Sequence, residues 1–352
     1  MKKQYIIPIF VPHLGCPMQC TFCNQRNISG KEKYPTVEEI EETIEYYLDN
    51  FKDKESSKIE IAFFGGSFTG IDEEVQERFL ETAYRYIKEK KVHSIRVSTR
   101  PDYINKEILK RLKKYKVKVI ELGVQSTNDY ILARCKRGHT FEDVKKASKM
   151  IRWHGFKLGH QMMVGLPEST LLDEINTAKD LIKLKPKIVR IYPVLVIKGT
   201  ELAKDYLKGE YEPLEVFQAV DRCKELCYLF EKKKIKVIRI GLQTTDTICS
   251  PEKEGSDVLA GPYHENFRGL VEASIWYDKI MKEIRKVNTK VKKLEIVVNP
   301  VNVDKVVGYR RENLNKLKEL YELDVEVRQD EKMNPKKLEL HVLERFKDFA
   351  DD

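Results

Sequence analysis

The strongest constraint on this chain is a repeat of two residue patterns. Short apolar runs rich in β-branched residues fall at 5–11, 59–64, 94–98, 117–123, 157–164, 188–194 and 236–240, and longer segments at helical period separate them. The segment 36–51 opens with Thr36 and carries Glu39 three residues on, a capping box, with Ile40, Ile44, Tyr47, Leu48 and Phe51 on one face. The segment 73–90 repeats the pattern with Val75, Phe79, Ala83, Tyr86 and Ile87. Such alternation specifies parallel βα units. Six or more in succession predict an α/β fold, as a complete or partial barrel or as a doubly wound sheet.

A barrel places its chemistry where the strands end, at the C-terminal mouth. The unusual residues of the sequence fall there. Gly65-Gly66-Ser67-Phe68-Thr69 follows the second run, Ser98-Thr99-Arg100-Pro101-Asp102-Tyr103 the third, and Gly123-Val124-Gln125-Ser126 ends the fourth. Gln161 and Gly165-Leu166-Pro167 close the fifth, and Tyr192-Pro193 with Lys198-Gly199-Thr200 follows the sixth. Gly65-Gly66 lets a polar group approach the backbone, and Arg100 and Arg137 carry planar forks suited to a carboxylate. Alone, each has a plainer reading as a tight turn or a solvated charge.

After the first run comes Cys16-x3-Cys20-x2-Cys23, with Phe22 before the last cysteine. Closely spaced thiolates of this kind hold an iron–sulfur cluster, and three of them leave one iron open. A zinc site is the alternative; it needs a fourth Cys or His, for which His13 is available. The chain has seven cysteines, and Cys135, Cys223, Cys227 and Cys249 show no disulfide-framework spacing. With 41% hydrophobic and 34% charged residues it reads as an ordinary globular protein. Its N-terminal apolar run is too short for a signal peptide or a membrane span, so a cytoplasmic enzyme with no membrane partner is expected.

Taken together, the cysteine array and the mouth motifs resemble the radical SAM superfamily. The resemblance implies a [4Fe–4S] cluster on Cys16, Cys20 and Cys23, with S-adenosylmethionine on the open iron. It also implies reductive cleavage to a 5′-deoxyadenosyl radical, an electron donor such as ferredoxin or flavodoxin, and a partial (β/α)6-type TIM barrel. By the same likeness Gly65, Gly66 and Ser67 contact the methionine amino group, and Ser98 and Arg100 join the cofactor site. The layout around Arg137 resembles oxygen-independent coproporphyrinogen oxidase, which implies that Arg137 holds the methionine carboxylate and that Gln125 and Gln161 reach the ribose. Over about residues 5–210 the motifs resemble the catalytic subunit of the Elongator complex. That subunit has a longer gap between its first two cluster cysteines and an acetyltransferase domain after its barrel. The expectation is therefore an Elongator-like branch without that domain, acting on RNA or tRNA, with a small-molecule or porphyrin-like substrate as the alternative; a non-catalytic iron–sulfur RNA-binding regulator is the rival from another class.

Residues 1–245 are expected to form the barrel and 246–289 a connecting helical segment. In Ala260-Gly261-Pro262-Tyr263-His264-Glu265, Tyr263 and His264 are either part of a surface turn or lie over the mouth, positioned for substrate contact or proton transfer. From 290 to 352 a small α+β module is expected, in β-α-α-β order. Its Gly308-Tyr309-Arg310-Arg311 turn resembles that of a KH domain, whose Gly-x-x-Gly loop clamps a nucleic-acid backbone. Arg311 replaces the second glycine, so Arg310 and Arg311 are the candidates for phosphate pairing. Residues 279–320 hold 12 Lys or Arg against 5 Asp or Glu, an excess that carries most of the net +9 and suits RNA.

Overall fold

The computed structural model describes residues 4–11, 20–24, 33–287 and 291–346. Contacts divide them into two units, one within residues 1–219 with 225–265 and one of 220–224 with 266–352. The first unit runs β1 (Gln4–Val11), α1 (Val37–Asn50), β2 (Lys58–Gly65), α2 (Glu73–Lys88), β3 (Ser94–Thr99), α3 (Lys106–Lys114) and β4 (Val117–Gln125). It continues with α4 (Asp129–Arg134), α5 (Phe141–Trp153), β5 (Lys157–Val164), α6 (Leu171–Lys183), β6 (Ile188–Pro193), β7 (Val196–Ile197) and α7 (Glu201–Leu207). Last come α8 (Val216–Lys232), β8 (Lys236–Ile240) and β9 (Val258–Ala260).

The seven long strands form one sheet in the order β1-β2-β3-β4-β5-β6-β8, every neighbour parallel. Spatial order follows chain order without reversal, so the sheet is a partial barrel and not doubly wound. The helices start where the sequence signals them: the Thr36–Glu39 capping box opens α1, and Thr140–Asp143 and Thr170–Asp173 open α5 and α6 in the same way.

Period-two alternation sorts each strand into two faces. On one face Ile59, Ile61 and Phe63 of β2 are buried, with the Phe63 ring stacked on Phe79 of α2. On the same face of β5, His160 bonds Ser148 of α5 at 2.9 Å. Burial pushes that imidazole down to about 3, so it stays neutral.

The other face lines the lumen, and there the strands carry charge. Glu60, Arg96, Glu121 and Arg190 interrupt apolar runs on β2, β3, β4 and β6 and are all buried. They form a ladder of alternating sign: Arg96 Nη2 to Glu60 at 2.6 Å, Arg96 Nη1 to Glu121 at 2.6 Å and Arg190 Nε to Glu121 at 2.5 Å. Burial by itself raises the carboxyls of Glu60 and Glu121, but the guanidiniums outweigh it and hold both below their ordinary value. Gly159 on β5 makes room for the ladder, because a Cβ there would stand 2.8 Å from Glu121 Cγ.

The second unit comprises α9 (Phe267–Ile284), β10 (Val291–Val298), α10 (Val303–Val307), α11 (Glu312–Tyr321), β11 (Asp324–Gln329) and β12 (Leu338–Arg345). Its sheet order is β11-β10-β12, with β10 parallel to β11 and antiparallel to β12. Trp276, Ile280 and Met281 of α9 pack with Leu294, Ile296, Val298, Val306 and Leu317 in one core. Asn313 is buried, and its amide donates to the carbonyls of Ala273, Lys305 and Val306, pinning the turn between α10 and α11. In that turn Arg310 and Arg311 are exposed and both have positive φ. Among the described residues no helix is long and apolar enough to cross a membrane.

Glu121→Gln removes one of the two carboxylates that Arg96 pairs with and, among the described residues, the carboxylate paired with Arg190, and it is expected to destabilise the apo protein by about 3–5 kcal/mol in urea unfolding. Because the folded carboxyl titrates below its unfolded value, this stability is present above about pH 4.5 and is lost as pH falls through the folded value. The gap between wild type and variant is therefore widest above pH 5 and narrows in acid.

Candidate active site at the barrel mouth

Of the cysteine array, Cys16 lies outside the described residues, as does His13. Cys20 is buried and Cys23 half-buried, on a tight turn closed by Cys23 N–H to Cys20 carbonyl at 2.9 Å. The turn is gripped on both sides. Thr21 N–H donates to the Cys135 carbonyl at 3.2 Å, and the Thr21 carbonyl accepts from Leu202 N–H at 2.8 Å. Asn24 Nδ2 donates to the Lys198 carbonyl at 2.9 Å. Cys20 and Phe22 pack with Ile131, Leu166, Val194 and Leu202.

The mouth opens into a cavity of about 550 Å³. Phe22 and Cys23 form part of its wall, together with Gly65, Ser98, Gln125, Gln161, Arg190 and Tyr192. Gln125 sits at a register shift between β4 and β5 with φ +71°, a bulge that turns its side chain to the cavity. Its buried Oε1 has no hydrogen-bond partner among the described residues. Gln161 Nε2 donates to Ser98 Oγ at 3.3 Å, tying β3 to β5.

The remaining predicted residues stand behind this wall and do not line it. Ser67 Oγ bonds Thr99 Oγ1 at 2.8 Å and accepts from Arg100 N–H at 3.3 Å, while Gly66 N–H donates to the Val11 carbonyl at 2.9 Å. Arg100 is buried; its Nη2 reaches Asp102 at 2.8 Å and the Arg137 carbonyl at 2.6 Å. Arg137 points Nη1 at Cys20 Sγ, 3.2 Å away, and Nη2 at the Gly123 carbonyl at 2.6 Å, leaving its buried Nε without a partner. The neighbouring His139 is pushed down to about 4, by burial first and then by the charges of Arg137 and Arg100. Cys135 packs in the Cys20 cluster, but burial pushes its thiol up to about 12, which keeps it a poor thiolate donor.

Tyr263 is half-buried against the cluster of Leu195, Ile197, Ile248 and Val258, with its hydroxyl 3.3 Å from Thr244 Oγ1. His264 follows it, half-buried. Arg310 and Arg311 belong to the second unit. Sequence reasoning passed over Arg190 and its ladder, although a charged residue inside an apolar strand, recurring on four strands, was a legible signal. Tyr192, assigned to the mouth from its place at a strand end, lines the cavity, and its hydroxyl accepts from Arg190 Nη1 at 3.3 Å.

The sequence matches the family model of the radical SAM superfamily over residues 10–181, and that of the Radical_SAM C-terminal domain over 186–277. The chain belongs to the radical SAM superfamily. As a radical SAM enzyme it uses a [4Fe–4S] cluster and S-adenosylmethionine. An uncharacterized protein of Methanocaldococcus jannaschii is 33% identical over 228 residues, covering 62% of this chain and 70% of the relative. A tRNA uridine(34) acetyltransferase of the same organism is 34% identical over 187 residues, covering 47% of this chain and 34% of the relative. The chain thus spans about a third of that relative's length. Among solved structures, the archaeal Methanocaldococcus infernus Elp3 with an N-terminal deletion shares the fold, with a TM-score of 0.61 and 22% identity over 80% of this chain and 63% of that one.

The residues present fit these cofactors. Cys20 and Cys23 are soft donors at the mouth, and among the described residues no group of three His, Cys, Asp or Glu side chains stands ready to hold a metal. Among the described residues, Gln125 Oε1 and Arg137 Nε are buried at this site without a hydrogen-bond partner.

Gly65 ends β2 at φ +103°, where a Cβ would run into the Val11 carbonyl oxygen. Gly65→Ala is expected to destabilise the apo protein on the order of 3 kcal/mol by urea unfolding, through backbone strain and overpacking together.

Proposed function

We propose that this enzyme reductively cleaves S-adenosylmethionine at a [4Fe–4S] cluster held by Cys16, Cys20 and Cys23, and that its substrate is RNA, specifically tRNA. The observation that carries the first half is the shared wall: Phe22 and Cys23 line the same cavity as Gln125, whose carbonyl oxygen awaits a donor. When bound, cluster and cofactor supply one-electron cleavage of a sulfonium and a radical able to take hydrogen from a substrate.

The chain's own residues bind, orient and exclude water. Gly65-Gly66-Ser67, whose Gly65 lines the cavity, is the candidate for an ammonium group, the Arg137 Nε–H suits a carboxylate, and Ser98, Gln125 and Gln161 suit ribose hydroxyls. Arg100 acts from behind, holding the Arg137 backbone. Phe22, Met163 and Leu195 give the cavity an apolar lining that keeps water from the reacting centre. Tyr263 and His264, on the segment after β9, are the candidates for substrate contact or proton transfer.

Two features support RNA. The relatives include tRNA uridine(34) acetyltransferases, and within the second unit residues 279–320 hold 12 Lys or Arg against 5 Asp or Glu, with Arg310 and Arg311 exposed.

Anaerobic reconstitution is expected to give a brown protein that forms 5′-deoxyadenosine under dithionite, with the product lost in Cys23→Ser; a colourless zinc protein would sink the proposal. Nucleoside mass spectrometry of tRNA from cells with and without the gene tests the substrate, and an unchanged profile counts against RNA. The double variant Arg310→Glu, Arg311→Glu is expected to weaken tRNA binding by about tenfold or more at low salt and to flatten its salt dependence.

A further inference from the structure

Among the described residues four arginines are buried: Arg96, Arg100, Arg137 and Arg190. Three of them meet a carboxylate, Arg96 and Arg190 in the ladder and Arg100 on Asp102. Arg137 is different. Its guanidinium contacts Cys20 Sγ at 3.2 Å and the Gly123 carbonyl at 2.6 Å, and no carboxylate. A guanidinium does not shed its proton, and a buried charge without a counter-charge is costly. The group in reach is the sulfur of Cys20, which as a cluster ligand would be a thiolate.

We propose that Arg137 is a positioning residue for the cluster: it donates an N–H to the Cys20 thiolate, and its uncompensated charge stabilises the reduced cluster and raises its reduction potential. Cluster potentials respond to net charge and to hydrogen bonds on the ligating sulfurs, and Arg137 supplies both at one ligand. The rest of the frame immobilises it. Arg100, itself held by Asp102, bonds the Arg137 carbonyl at 2.6 Å, and Arg137 N–H donates to the Leu132 carbonyl at 2.9 Å. Gly123 leaves space for the guanidinium, since a Cβ there would stand 3.4 Å from Arg137 Nη2. The same segment grips the cysteine turn through the Cys135 carbonyl. Arginine, turn and sulfur therefore move as one piece.

This inference rests on the assignment of the cluster to Cys16, Cys20 and Cys23. The test is an EPR-monitored redox titration of the reconstituted full-length protein without S-adenosylmethionine, for wild type, Arg137→Gln, Arg137→Lys and Arg134→Gln. Arg134 lies on the same segment but is only half-buried and paired with Glu168. The midpoint is expected to shift to more negative potential in Arg137→Gln, less so in Arg137→Lys, which keeps the charge without the fork, and not at all in Arg134→Gln. A midpoint unmoved in Arg137→Gln overturns the inference. If Arg137→Gln folds but takes up no cluster, uptake restored in Arg137→Lys supports it, and failure of both variants means that the role is structural and the inference is lost. A wild-type protein with no cluster sinks the ligand assignment itself, a result distinct from a cluster whose potential does not move.

Discussion

The interior of this partial barrel is organised by charge pairing where apolar packing is the default. Glu60, Arg96, Glu121 and Arg190 cross from β2 to β6 through the lumen, and each sign is answered by its neighbour within hydrogen-bonding distance. A buried network of this kind is weak evidence for net stability, because desolvation offsets much of the Coulombic gain. Its consequence is geometric. Four strands are held in one register around the carboxylate of Glu121, and Gly159 leaves the space the carboxylate needs. The network also sets the chemistry of the cavity above it: Arg190 and Tyr192 present polar atoms to the cavity, while the charges below them are already balanced.

At the mouth the site depends on two frames. One ties the ends of β2 and β3 together through Ser67, Thr99, Arg100 and Asp102. The other is the segment Cys135–Arg137, which accepts from the cysteine turn and points a guanidinium at Cys20. Arg100 joins the frames by bonding the Arg137 carbonyl. Local cost is concentrated here as well: Gly65 and Gln125 have positive φ, and Gln125 Oε1 and Arg137 Nε are buried without partners among the described residues. Strain and unsatisfied groups persist where the surroundings over-determine them, and these lie beside the cysteine turn.

The second unit has its own core on Trp276, Ile280, Leu294 and Leu317. Its turn at Gly308–Arg311 is fixed by Asn313, not by a second glycine. Two consecutive arginines adopt the left-handed region there, each at an expense of about 1–3 kcal/mol.

Sequence by itself determined the elements and the address of the site. Hydrophobic periodicity and capping residues placed the seven long strands and the helices between them, because those signals are local and need no tertiary partner. The motifs at strand ends pointed to one mouth for the same reason. What the sequence left open was which way each polar side chain turns. Arg100 and Arg137 are both arginines on mouth loops, yet one is spent on Asp102 and a backbone carbonyl and the other faces a cysteine sulfur. The ladder through Glu121 needs residues from four strands, and Gln125 faces the cavity only because a bulge shifts the register between β4 and β5. Orientation and charge compensation depend on groups distant in the chain, so tertiary structure alone decided them.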